Sequence, residues 1–159
     1  MNEYGTLHNK DGRHALTFER VFPYSAEEVF HVITDPDKFV KWYPFATGEM
    51  DLEIGGKIQF DDGEGSKYEA VITELDNPHT FSFREVDDLI EISLTEEDNG
   101  VRMVFIHTFD DATYAHYIAT GWHRCLDVLS QIIHGNAIEW PDNAEELRAF
   151  YGEAFGKIT

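Results

Sequence analysis

DATYAHYIATGWHRCLDVLSQIIHG, residues 111–135, is the one stretch of this chain long and regular enough to form a helix spanning a small domain. Ile118, Trp122, Cys125, Leu126, Leu129, Ile132 and Ile133 recur mostly at spacings of three and four, which gathers them on one helix face. His116, Thr120, His123, Asp127 and Gln131 fall between them. Everything upstream reads mostly as short strands and turns. A long amphipathic helix that follows a run of strands must bury its apolar face against their sheet, so the order predicts an α+β fold rather than alternating βαβ units.

The 159 residues suffice for one domain whose core needs neither disulfide nor metal. Lys and Arg number 12 against 31 Asp and Glu, a net charge of −19. Phosphate backbones and anionic membrane surfaces are therefore repelled, and neither nucleic acid nor a membrane is expected as a partner. The acidic residues are dispersed, which suits a self-repelling, soluble surface. Cys125 is the single cysteine and falls within the apolar stripe, where a thiol packs as a small hydrophobe. The N-terminus has no apolar h-region, and no window approaches a membrane span. A cytoplasmic protein is the expectation.

Residues 4–7 and 14–22 flank Asn9-Lys10-Asp11-Gly12, a polar turn that predicts an opening hairpin. Ser25-Ala26-Glu27-Glu28 has the form of a capping box, in which Ser and Glu side chains satisfy free backbone donors, and predicts a helix over 26–33. Asp35 as N-cap and Pro36 as first helical residue predict a second short helix over 36–41. From Met50 the period changes to two, Met50, Leu52 and Ile54 opposing Asp51 and Glu53. This predicts a strand, a tight turn at Gly55-Gly56 and a partner strand over 57–60. Tyr68, Ala70 and Ile72, then Phe81 and Phe83, then Ile90, Ile92 and Leu94 alternate likewise. Over 101–109, Val101, Met103, Phe105, His107 and Phe109 share one side, completing an antiparallel meander. Beyond the long helix, Asp142-Asn143-Ala144-Glu145 is another capping signal. Leu147, Phe150, Tyr151, Ala154 and Phe155 predict a final short helix docked on the outside.

Hairpin, two short helices, meander and long helix, in that order, resemble the helix-grip fold of the START/SRPBCC superfamily, related to the birch-pollen-allergen fold. Val29-Phe30 with Thr34-Asp35-Pro36 and Trp42-Tyr43-Pro44 resembles a run found in the branch named for activators of the heat-shock-protein-90 ATPase. Gly55-Gly56-Lys57-Ile58-Gln59-Phe60 and Gly121-Trp122 with Leu126 and Leu129 are similar to that branch's hairpin and helix signatures. His107-Thr108-Phe109 sits where the family often has His followed by Gly-Phe. Phe30 stands where Trp is commoner, and Thr108 replaces the Gly. The resemblance covers about residues 15–135 of a single domain over 1–159, leaving 136–159 as a C-terminal extension.

The resemblance implies a curled antiparallel sheet around the long helix, with a cavity between them. A curved sheet cannot contact one helix across its full width, so large side chains or a ligand must fill the rest. Trp42, Phe45, Phe60, Tyr68, Phe83, Phe105, His107 and Trp122 are the candidate ligand-binding residues, although core packing is the ordinary role of such aromatics. His107 lies on an apolar face, where an imidazole must find a hydrogen-bond partner. The expected function is binding of a small hydrophobic molecule, aromatic or lipid-like, by a monomer or homodimer. One alternative is a chaperone-interacting protein of the heat-shock-protein-90 ATPase activator type. The other is a polyketide cyclase-like or hydrolase-like enzyme using Glu74, Glu85 and His107. No nucleophile elbow occurs. His116 and His123 are seven apart on a helix but lack a convincing third ligand, and Asp61-Asp62-Gly63-Glu64-Gly65 lacks the full pattern of a calcium loop. No metal or cofactor is expected.

Overall fold

In the computed structural model, which describes residues 3–156, eight strands pair antiparallel in one sheet. The chain runs β1 (Thr6–Lys10), β2 (Arg13–Phe22), α1 (Ala26–Thr34), α2 (Pro36–Trp42), β3 (Ala46–Met50), β4 (Lys57–Asp61), β5 (Lys67–Asp76), β6 (Thr80–Glu85), β7 (Asp88–Glu97), β8 (Gly100–Phe109), α3 (Ala115–Ile133) and α4 (Ala144–Gly156). The sheet order is β1-β2-β8-β7-β6-β5-β4-β3. Pairing of β2 with β8 leaves α1 and α2 to carry the chain from one end of the meander to the other. The α+β helix-grip reading holds.

The caps behave as their chemistry dictates. Ser25 Oγ accepts from the Glu28 N–H at 3.2 Å and donates to the Glu28 carboxylate at 3.1 Å. Asp35 Oδ1 accepts from the Asp37 N–H at 2.9 Å, with Pro36 opening α2. The long helix begins later than predicted, because Asp111 caps a short 3-10 turn, Ala112–Tyr114, before Ala115. It ends at Ile133, and just beyond it Gly135, with a φ of 72°, lets the Asn136 N–H bond back to the Gln131 carbonyl.

Two expectations are corrected. The first strand of the meander is Ala46–Met50, not the stretch from Met50 onward, and Leu52 and Ile54 are exposed. Residues 51–56 instead form a compact loop held by Glu53 N–H to Asp51 O and Gly56 N–H to Glu53 O. A Cβ on Gly56 would stand 2.0 Å from the Asp51 carbonyl oxygen, so this glycine permits a close backbone approach. Secondly, α4 is more than an outer addition. Phe150 is exposed, whereas Tyr151 is fully buried and its hydroxyl accepts from the Gly5 N–H at 2.9 Å.

The sheet's inner row sets the core. Register pairs Phe18 with Phe105, Ile92 with Phe105 and Phe81 with Ile92, aligning their side chains on one face. Ala119, Trp122, Leu126 and Leu129 of α3 close over it. Each large side chain buried this way contributes about 2–3 kcal/mol.

Candidate functional site

Most of the space between sheet and helix is filled by rings. Trp42, Phe60, Phe83 and Phe105 are 0–1% exposed. Tyr43 stacks on Phe39 with centroids 4.7 Å apart and reaches Trp122 at 5.2 Å, while Phe105 meets Trp122 at 4.9 Å. These four predicted residues therefore form a packed wall. What stays open is a groove of about 560 Å³ along α3. Its apolar lining comes from Pro44, Phe45, Ile118, Trp122, Cys125 and Trp140. Gly121 forms part of the lining too, and a Cβ placed there would meet nothing within 4 Å. Phe45 stands in the left-handed region at φ 66° and is half exposed. That conformation is costly for a bulky residue, and such strain clusters at functional sites.

The polar wall of the groove is built on the sheet. Trp122 Nε1 donates to His107 Nδ1 at 2.9 Å, and His107 Nε2 lies 2.8 Å from Asp88 Oδ2. Because an indole N–H can only donate, Nδ1 is the acceptor, and Nε2 carries the proton given to Asp88. Both imidazole nitrogens are thereby engaged, and the ring acts as a strut between helix and sheet. This is the partner the buried histidine required. Cys125 is no better placed to react, since burial pushes its thiol up to about 12 and keeps it protonated.

Behind Asp88 stands Glu85. Burial raises its pKa, with Asp88 adding to the effect and His107 opposing it. The Tyr43 hydroxyl donates to Glu85 Oε2 at 3.4 Å. Burial and the neighbouring Glu85 raise Tyr43 well above its ordinary range and push Tyr68 up to about 12. Both phenols remain donors. Glu74, the third group of the enzyme reading, is exposed on β5 and stands apart from these residues.

A second depression, of about 570 Å³, adjoins the groove and shares Asp88 and Ile118 with it. Tyr68 and Phe109 line it, and so do the carboxylate-bearing Glu85, Asp87, Asp110 and Asp111. Of the predicted site residues, Phe45, His107 and Trp122 thus face the groove, and Tyr68 faces its acidic neighbour. Sequence reasoning missed Asp88, Arg124 and Trp140. Asp88 had a usable signal: Ile90, Ile92 and Leu94 point inward, and extending that period of two backwards brings Asp88 to the same face. Trp140 lies in an irregular segment with no periodicity to betray it.

The metal question centres on other residues than His116. Glu3, His123 and Asp127 bring ligand atoms within 4.8 Å of one another. Arg20, buried on β2, bonds Asp127 Oδ1 at 3.3 Å, while His123 Nδ1 shares a hydrogen bond with the Tyr151 hydroxyl at 2.8 Å. A guanidinium in this position does for the carboxylate what a cation would, so the cluster reads as an ion-pair network that fastens α4.

A curled sheet gripping one long helix, with two short helices inserted after the second strand, defines the helix-grip class. A sequence profile described as "Activator of Hsp90 ATPase homolog 1-like protein" matches residues 23–134. This is more than half of the chain, and the chain belongs to that family. Solved structures agree on the fold. A conserved protein of unknown function from Enterococcus faecalis superposes with a TM-score of 0.83 at 19% identity, covering 98% of this chain and 92% of that one. CalU16 from Micromonospora echinospora gives 0.73 at 19% identity, covering 99% and 96%. The Aha1 dimer from Colwellia psychrerythraea gives 0.63 at 18% identity, covering 75% and 95%. No protein with a curated description matches the sequence. No described helix is long and apolar enough to cross a membrane.

Proposed function

We propose that the protein binds a small hydrophobic molecule, aromatic or lipid-like, in the groove beside α3. The observation that carries this is the open apolar surface above Gly121, flanked by Trp122, Ile118, Cys125 and Phe45 beside an otherwise packed interior. Pockets of about 300–1,000 Å³ with apolar walls and a few fixed polar groups suit ligands of drug-like size. Here the fixed polar group is Asp88, held in place by His107. Family membership supports the reading, since the grip architecture leaves this edge of the helix available. Binding without chemistry is favoured because the imidazole's two nitrogens are both committed.

The test is a titration with flat apolar compounds, read by calorimetry and by the Trp122 indole N–H resonance. Saturable binding is expected in the wild type and loss of it in Gly121→Leu, which puts a side chain into the groove. Failure of every compound to bind, or equal binding by Gly121→Leu, would sink the proposal.

A further inference from the structure

The groove is chemically asymmetric along α3. Its Ile118 end opens into the depression lined by Glu85, Asp87, Asp110 and Asp111, with Asp88 on the shared wall. No Lys or Arg lines that depression among the described residues. Two of its carboxylates already have work: Asp110 Oδ1 accepts from Arg13 Nε at 2.6 Å, and Asp111 caps the turn before α3. The Arg13 guanidinium also donates to the Asp87 carbonyl at 2.7 Å, which leaves Glu85 and Asp88 as the remainder. Asp88 commits Oδ2 to His107, and Glu85 meets phenol hydroxyls rather than a cation. The groove's own cation, Arg124, sits six residues beyond Ile118, about 9 Å along the helix at 1.5 Å per residue. It is turned aside, its guanidinium over the Trp140 ring at 5.9 Å and bonded to the Pro141 carbonyl at 3.0 Å.

We infer that the occupant of the groove is an apolar cation, a flat hydrocarbon body lying against Trp122 and Ile118 with an ammonium group reaching Asp88 and Glu85. The inference rests on the groove being a ligand site and adds the charge of the ligand. Charge complementarity carries it. Carboxylates drawn together at the end of an apolar surface repel one another, and a ligand ammonium relieves that repulsion while its body buries the hydrocarbon wall. An ammonium also has donors for the second oxygen of Asp88 and for Glu85, forming charge-assisted hydrogen bonds. The protein's net charge of −19 attracts such a ligand at long range and repels a carboxylic acid.

The experiment uses three matched probes: naphthalene carrying an aminomethyl, a hydroxymethyl or a carboxylate group, titrated by calorimetry into the full chain at low and high salt. The amine is expected to bind at least about ten-fold more tightly than the alcohol, and the carboxylate most weakly. Salt should narrow the amine's advantage. The double variant Glu85→Gln, Asp88→Asn should bring the ratio of amine to alcohol affinity down to about one, and an undiminished ratio would overturn the assignment of the ammonium to these carboxylates. Equal affinities for amine and alcohol in the wild type would overturn the cationic ligand and leave the groove reading intact. No binding by any probe would overturn both. Should the double variant fold poorly, Glu85→Gln alone should still narrow the amine's advantage over the alcohol, and an unchanged advantage would overturn the proposal.

Discussion

The indole N–H of Trp122 on α3 is bonded at 2.9 Å to Nδ1 of His107 on β8, so one hydrogen bond joins the gripped helix to the sheet that grips it. Both side chains are buried. Trp122→Phe should therefore strand a ring nitrogen and cost about 1–3 kcal/mol, beyond what the smaller ring loses in packing. Removing both partners in Trp122→Phe, His107→Phe should cost less than the sum of the single changes, since Asp88 remains half exposed and can turn to water. Urea denaturation of the four proteins measures this. Strictly additive effects would show that the bond contributes nothing.

Gly121 lies within α3 and faces open space. Glycine in a helix interior is less favourable than alanine by about 0.5–1 kcal/mol, and nothing here would collide with a methyl group. Gly121→Ala should raise stability by about that amount in chemical denaturation. A destabilised Gly121→Ala would mean that the backbone here is held in a conformation or contact the described geometry does not contain.

The fold was legible because each element announced itself locally. Ser25 and Asp35 mark helix starts, alternation through Phe81, Phe83, Ile90 and Ile92 marks paired strands, and the stripe from Ile118 to Ile133 marks the long helix. Leu52 and Ile54 misled because alternation over three apolar residues arises as readily in a loop that leaves them in water. The groove was legible only in part. Phe45, His107 and Trp122 stood out by residue type, but which aromatics fill the grip and which border it depends on distances between elements far apart in sequence. Trp42 and Phe45 are three residues apart; one is sealed in the core and the other is half exposed, because Phe45 turns through a left-handed backbone conformation. The buried ring of Arg20, His123, Asp127 and Tyr151 was illegible for a similar reason. His123 and Asp127 fall on the polar side of α3, and their partners come from elements far apart in sequence, Arg20 and Phe18 on β2 and Tyr151 on α4.

Val86 occupies the turn between β6 and β7 with φ at 57°, and its side chain is largely exposed. A β-branched residue is disfavoured there, whereas Asn tolerates the left-handed region. Val86→Asn should raise stability by about 1 kcal/mol without disturbing the core. Thermal unfolding checks it, and an unchanged or lowered midpoint would refute it.

His123 supplies a pH dependence. Burial lowers its pKa below the ordinary 6.5, with Asp127 opposing and Arg20 assisting. On acidification through about pH 6.5 the unfolded chain takes up a proton that the folded protein resists, so stability falls as pH drops towards the depressed folded value. His123→Gln removes this component. Unfolding free energies measured from pH 7.5 to 6 should fall more steeply in the wild type than in the variant. Equal slopes would show that the buried imidazole is not the group responsible.

Glu85 gives the opposite sign. Burial and Asp88 raise its folded pKa above the ordinary 4.5. The folded state therefore holds this proton more tightly than the unfolded chain, and the resulting stabilisation is complete below about pH 4.5 and lost as pH rises through the folded value. At neutral pH the ionised side chain is a cost that His107 and the Tyr43 and Tyr68 hydroxyls offset only in part, so Glu85→Gln should be more stable than the wild type at pH 7. That advantage should shrink as the pH is lowered towards 4.5, because the raised folded value lets the wild-type carboxyl take up its proton before the unfolded chain does. Glutamine also keeps an acceptor for the Tyr43 hydroxyl, which limits the change to charge. Denaturation curves at pH 7 and pH 5 decide the matter, and a Glu85→Gln protein less stable than wild type at pH 7 would show that its negative charge is compensated. If the stabilised variant also loses preference for the aminomethyl probe, Glu85 is a carboxylate kept for a ligand at the expense of the fold.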